Sequence, residues 1–225
     1  MATEFTFRVG LDCRCLLHAP ESLIENPLLV LALHGYGQNA AVMLRLANVL
    51  FGGHTVIASL QAPNQYYLSF TAADSAVGYN WGTRENSESC VRMHHNMVLQ
   101  ALQLLRDRFQ AGPERVLLLG FSQPVGFNYR FAGTHPNQVG GVIGICGGVP
   151  KDWEVGKYQA VSTPILHIAR EEDEYFPART AEGFPARLRH HAADVEFHML
   201  PGGHRFPSKA GPVVHPWVKR VFGGS

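Results

Sequence analysis

The run PLLVLALHG, Pro27 to Gly35, is apolar at nearly every position. A strand with one wet face alternates polar and apolar residues, so a strand that does not alternate must be covered on both faces. Apolar runs of strand length recur as HTVIASLQAP, RVLLLGF, GGVIGIC and TPILHIA, and VEFHML adds an alternating one. Helical spacing separates most of them, in AAVMLRLANVLF, SESCVRMHHNMVLQALQLLRDRF, PVGFNYRFAGTH, ARTAEGFPARLRHHA and VHPWVKRVF. Strand-then-helix repetition restricts the chain to an α/β architecture: an open, mostly parallel sheet with helices on both faces and right-handed crossovers. TEFTFRVG and CRCLLHA add an expected opening pair of strands. No repeat, low-complexity tract or linker is visible, and 225 residues suit one domain spanning 1–225.

Several function classes drop out on composition. A formal net charge of +1 with mixed signs gives no footprint for nucleic acid or an anionic membrane. No stretch reaches the roughly 18 apolar residues of a membrane span, and MATEFTFRVG lacks the basic-then-apolar order of a secretory leader. A cytoplasmic protein is the expectation. Cys13, Cys15, Cys90 and Cys146 are too few for a disulfide framework. The pairs His94-His95 and His190-His191 lack metal-ligand spacing, and no H-E-x-x-H occurs, so neither a catalytic metal nor a cofactor is expected.

In open α/β sheets ligands bind beyond the carboxyl ends of the strands, which makes four loops informative. After RVLLLGF comes Ser122, with Gly120 two residues before it and Pro124 two after. A tight strand-to-helix turn can lift a serine hydroxyl out of the sheet, and small residues at those two positions permit it. The same serine can equally be a helix cap. After PLLVLALHG, the glycines Gly35 and Gly37 can aim backbone N–H groups into the crevice, those of Tyr36 and Gln123 being the candidate oxyanion donors. After TPILHIA stand Glu171, Glu172, Asp173 and Glu174, any of which can orient a histidine. After VEFHML, two glycines turn the chain into His204, a natural base because its ordinary pKa is near neutrality. Serine, acid and histidine follow in the chain order of α/β-hydrolases.

Taken together, LHGYGQNA, GFSQ, an acid four residues before Pro177, GGH and the tryptophan segment GYNWGTRENSES resemble the phospholipase/carboxylesterase family of α/β-hydrolases, related to acyl-protein thioesterases. The resemblance runs from about Leu29 to His204. It implies an α/β-hydrolase fold and a serine hydrolase that cleaves carboxylic esters or thioesters through an acyl-enzyme. Ser122 then matches the nucleophile, His204 the base, and Tyr36 and Gln123 the oxyanion donors. The family loop Gly-x-x-Asp-x-x-Val-Pro, aligned on Pro177, puts its aspartate at Asp173 and leaves Arg170 where its glycine would be. Pro124 replaces a usual glycine and should push Gln123 away from the α region. A faded, catalytically weak binding protein on the same scaffold is the alternative that Pro124 and the irregular acid loop raise. Tyr66, Tyr67, Phe70 and Trp81, in a stretch without clear period from Asn64 to Arg84, are the candidate substrate contacts, and a small-molecule ester is the expected partner.

Overall fold

The structure is a computed structural model that describes residues 1–7, 9–22, 24–69 and 76–223. Its main sheet contains β1 (Cys15–His18), β2 (Leu29–Leu33), β3 (Val56–Leu60), β6 (Val116–Phe121), β7 (Gly141–Ile145), β8 (Ile165–Arg170) and β9 (Val195–Leu200). The strand order is β1-β3-β2-β6-β7-β8-β9, and every pairing is parallel except β1 with β3. Around the sheet lie α1 (Ala40–Phe51), α2 (Ser87–Phe109), α3 (Pro124–Thr134), the short α4 (Ala178–Ala181) and α5 (Phe184–Leu188), and α6 (Gly211–Phe222).

The period-2 geometry of a strand splits each unbroken apolar run between two cores. Leu29, Leu31 and Leu33 of β2, with Val116 and Leu118 of β6, pack beneath α2 and α3 against Val98, Leu102 and Phe131. Val30, Ala32, Leu117 and Leu119 face the other side, where Met43 and Ala47 of α1 and Val214 and Trp217 of α6 cover them. α1 starts where Asn39 Oδ1 accepts the Val42 N–H at 2.9 Å, a side-chain cap on an otherwise orphan donor.

Three expectations need correction. Only the second half of the opening strand pair forms. Among the described residues of TEFTFRVG no strand appears, and Phe5, Phe7 and Val9 are all more than three-quarters exposed, because β1 already occupies the free edge of β3. The stretch from Asn64 holds a hairpin, β4 (Asn64–Tyr67) against β5 (Val77–Asn80), whose strands are too short to show a period. The helical pattern after Pro177 breaks into α4 and α5 around Gly183, and Pro185 starts the second piece in the first turn, where a missing N–H is harmless.

His94 and His95, which break the apolar stripe of α2 in the sequence, are buried at 1% and 5% exposure. His94 Nε2 meets Asn128 Oδ1 at 3.1 Å, and on β8 the buried His167 Nδ1 meets the Tyr129 hydroxyl at 2.7 Å. Burial lowers all three pKa values, well below the ordinary 6.5 for His94, to about 4 for His95 and to about 3 for His167. The unfolded chain takes up these protons just below pH 6.5 while the folded chain does not, so stability is constant above that pH and falls below it. We expect the urea midpoint to drop steadily from about pH 6.5 to about pH 4.5, with losses on the order of 3 kcal/mol per histidine at the acid end. His94→Gln should flatten that slope. A midpoint independent of pH over this window would contradict the neutral, buried state.

Candidate active site

β6 ends at Phe121, and Ser122 turns the chain with φ +64°. A non-glycine residue in this left-handed region stores on the order of 1 kcal/mol of strain. The surroundings enforce it: the Ser122 N–H bonds Ile145 O at 2.8 Å, and its carbonyl accepts the Val125 N–H at 3.2 Å. Two glycines make room for the turn. A Cβ on Gly120 would lie 2.7 Å from Asn128 Nδ2, and one on Gly147 would lie 2.3 Å from Val125 Cβ.

Gln123 corrects the expectation raised by Pro124. Its backbone is α-helical (φ −52°, ψ −47°) although a proline follows. Its side chain explains why, since Oε1 accepts the Trp81 N–H at 2.9 Å and Nε2 donates to Gly82 O at 2.7 Å. Pro124 itself opens α3, where no intrahelical acceptor awaits its nitrogen. Gln123 precedes the first turn, so its N–H has no helical partner, and no described residue accepts from it.

The loop after β2 is aimed by buried polar groups. His34 is fully buried, and burial lowers its pKa, keeping the ring neutral. Its Nε2 accepts the Ala62 N–H at 3.1 Å, which puts the ring proton on Nδ1, and Nδ1 donates to Gly35 O at 2.8 Å. The Gln61 amide also meets Nε2, at 2.9 Å. The Gln38 N–H holds the same Gly35 carbonyl at 3.2 Å. A trans peptide points its C=O and the following N–H in opposite directions. The Tyr36 N–H therefore points away from the His34 ring that holds the carbonyl, and Tyr36 lines a cavity together with Ser122. Gly37, at φ +78°, donates to Tyr79 O at 2.9 Å and ties this loop to β5.

Asp173 and His204 arrive from the ends of β8 and β9. Asp173 is 3% exposed, whereas Glu171, Glu172 and Glu174 are exposed. Its Oδ1 accepts the N–H groups of Tyr175 and Phe176, both at 2.9 Å. His204 Nδ1 lies 2.8 Å from Asp173 Oδ2, and Nε2 lies 2.8 Å from Ser122 Oγ. The imidazole is walled by Phe121 and Tyr175, and Glu174 Oε2 accepts the His204 N–H at 3.1 Å. Gly202, at φ +112°, makes the turn beneath the Arg170 guanidinium, which leaves no room for a Cβ. Cys146 Sγ, an Asp173 oxygen and a His204 nitrogen lie within 4.8 Å of one another. Burial, with Asp173 adding to it, pushes the thiol up to about 12, so the sulfur stays protonated at neutral pH.

A model of the family described as Phospholipase/Carboxylesterase matches residues 24–211. The chain belongs to the phospholipase/carboxylesterase family. It is a carboxylesterase-type hydrolase with the α/β-hydrolase fold. No curated protein matches it. Among solved structures it is similar to esterase PE8, at 19% identity and a TM-score of 0.76 over 94% of this chain and 100% of that one. A carboxylesterase from Bacillus cereus follows at 15% identity and a TM-score of 0.72, covering 93% and 95%. SOBER1 of Arabidopsis thaliana has 20% identity and a TM-score of 0.66, covering 86% and 98%. These likenesses establish the shared fold.

Of the family hydrolase's expected substrate contacts, Trp81 takes a different place. It is 1% exposed, donates from Nε1 to His34 O at 2.8 Å, and stands as a pillar under the loop after β2 and not in a wall. Tyr66 rests against Gly37, and its ring lies 5.3 Å from that of Tyr36. Tyr67 is exposed on β4, and Phe70 lies outside the described residues. Ser122 and His204 open instead into a cavity of about 400 Å³ lined also by Tyr36, Val42, Leu46 and Phe206. Sequence reasoning missed His34, Gln61 and Gly147, and had Glu174 only as one of four acids able to orient the histidine. Only Gly147, within the GG pair after GGVIGIC, carried a signal, a second glycine turn at a strand end.

Gln123→Ala removes two side-chain hydrogen bonds that hold the Ser122 turn to the Trp81 segment. A loss of about 2 kcal/mol in urea denaturation is expected. An unchanged midpoint would show that the amide clamp is idle.

Proposed function

We propose that this hydrolase cleaves carboxylic esters by acyl transfer through Ser122. One observation carries the reading: a continuous relay of two 2.8 Å contacts from Ser122 Oγ through the His204 ring to the buried Asp173 carboxylate. His204 Nε2 takes the hydroxyl proton as Oγ adds to the acyl carbon. The carbonyl π electrons move onto oxygen, and the Tyr36 and Gln123 N–H groups receive that charge. Each such donor is worth roughly 3 kcal/mol in the transition state. Collapse of the adduct expels the alkoxide or thiolate, which leaves with the proton from His204. Water then adds to the acyl-enzyme by the same route in reverse and releases the acid. Asp173 keeps the ring in the Nδ1–H tautomer and stabilises the imidazolium. Oxygen esters and thioesters offer the same acyl carbon, and both fall within this chemistry.

Two features support a working site over a faded scaffold. Both candidate oxyanion donors are free of internal acceptors among the described residues, and the Gln123 N–H keeps a helix-start orientation despite Pro124. Hydrolysis of 4-nitrophenyl acetate should fall by at least about 10³-fold in Ser122→Ala and by roughly 10³-fold in Asp173→Asn, without loss of fold. A fluorophosphonate should label the wild type stoichiometrically at Ser122. Equal hydrolysis by wild type and Ser122→Ala would end the proposal.

A further inference from the structure

The nucleophile turn stands between two hollows. The smaller, described above, contains His204 and mixes the apolar Val42, Leu46, Phe121 and Phe206 with Gln38 and a single cation, Arg205. The larger, about 780 Å³, begins at Gln123 and runs between the first two turns of α2, the face of α3 and the segment before β8. Its lining is charged. Arg84, Arg92, Arg130 and Lys157 face two carboxylates, Glu88 and Asp152, an excess of two positive charges in a chain whose formal total is only +1.

The two carboxylates do not neutralise it. Asp152 is saturated by Arg130 at 2.7 Å, by Lys157 at 2.6 Å and by the Tyr158 hydroxyl at 2.8 Å. Glu88 is 87% exposed and touches Arg92 only at 3.9 Å, an interaction that water largely screens. Arg84 has no acidic partner among the described residues. Its neighbour Asn86 starts the 23-residue α2 without a side-chain cap, so the positive end of that helix adds to the potential. Phe127, Val91 and Tyr158 supply apolar surface between the catalytic end and the cations. The floor is His95, with Nε2 unpartnered.

The direction of the reaction assigns the two hollows. The leaving group takes its proton from His204, so it departs on the side of the smaller cavity. The larger cleft borders the same turn at Gln123, and His204 is not among its lining residues. Resting on the acyl-transfer reading above, we infer that the larger cleft receives acyl groups ending in a carboxylate, so that the preferred substrates are hemiesters of dicarboxylic acids. Methylenes lie along Phe127 and Val91, and the terminal carboxylate meets Arg84 and Arg92.

The test uses 4-nitrophenyl hemiesters of succinic, glutaric and adipic acid, each paired with the methyl-ended ester of equal length. In the wild type, kcat/KM should favour the carboxylate-ended member of at least one pair by about tenfold, and the preference should shrink with added salt. Arg84→Gln should cut that preference roughly fivefold while leaving the acetate and methyl-ended esters within about twofold of wild type. Methyl-ended esters favoured at every length, or a preference unmoved by both Arg84→Gln and Arg92→Gln, would overturn the inference while acetate hydrolysis left the catalytic reading standing. Calorimetry of adipate with the Ser122→Ala chain tests the cleft apart from catalysis. Binding weakened by Arg84→Gln supports it even if acetate hydrolysis proves independent of Ser122. No binding at about 10 mM adipate refutes it.

Discussion

The hydrogen bond between His204 and Ser122 is the constraint from which the site takes its shape. Their strands, β9 and β6, are three places apart in the sheet, which is roughly 14 Å at the usual strand spacing. No side chain spans that gap, so the backbone after β9 must double back across the ends of β8 and β7. Gly202, at φ +112° under the Arg170 guanidinium, allows the reversal. Glu174 then holds the His204 N–H, and Asp173, from the intervening strand β8, meets the ring from behind. The sheet order β6-β7-β8-β9 thus matches the chain order serine, acid, histidine, while in space the returning loop sets His204 between Ser122 and Asp173.

A second theme is how much of the site is aimed by polar side chains that hydrogen-bond to its backbone. His34, Gln61, Trp81 and Gln123 form a connected set: Gln61 and Ala62 on His34, His34 on Gly35 O, Trp81 on His34 O, Gln123 on Trp81. Each link turns one peptide or one side chain, and together they leave the Tyr36 and Gln123 N–H groups as the free ones. Such a network is costly if half satisfied, which is why its members are nearly all paired. The same logic accounts for Pro124. A proline disfavours an α-helical residue before it, yet the Gln123 side chain, anchored at both ends, outweighs that preference.

The fold was legible wherever period and burial agree. The uninterrupted apolar runs of β2 and β6 and the long stripe of α2 translate directly into buried elements, because burial on both faces of a parallel sheet admits little else. Legibility failed where local signals are short or depend on partners. β4 and β5 have four residues each, too few for a period, and the opening TEFTFRVG alternates well but does not pair, β1 alone occupying the edge of β3. At the site, the order and loop positions of Ser122, Asp173 and His204 were readable, and Asp173 stood out from its acidic neighbours only through the family pattern. Trp81 looked like an exposed aromatic wall and is a buried post, since an aromatic residue in a loop reads alike in both roles.

Sequence alone determined that this chain forms a parallel sheet between helices and which side chains of chemical interest sit at its strand ends, because strand and helix periods and chain order are local properties. Tertiary structure decided which acid is buried, which way the Gly35 carbonyl faces, and that a cationic cleft borders the Ser122 turn at Gln123. Those outcomes depend on groups far apart in the chain, such as Asp152 with Arg130 or Ala62 with His34, whose meeting no local pattern records.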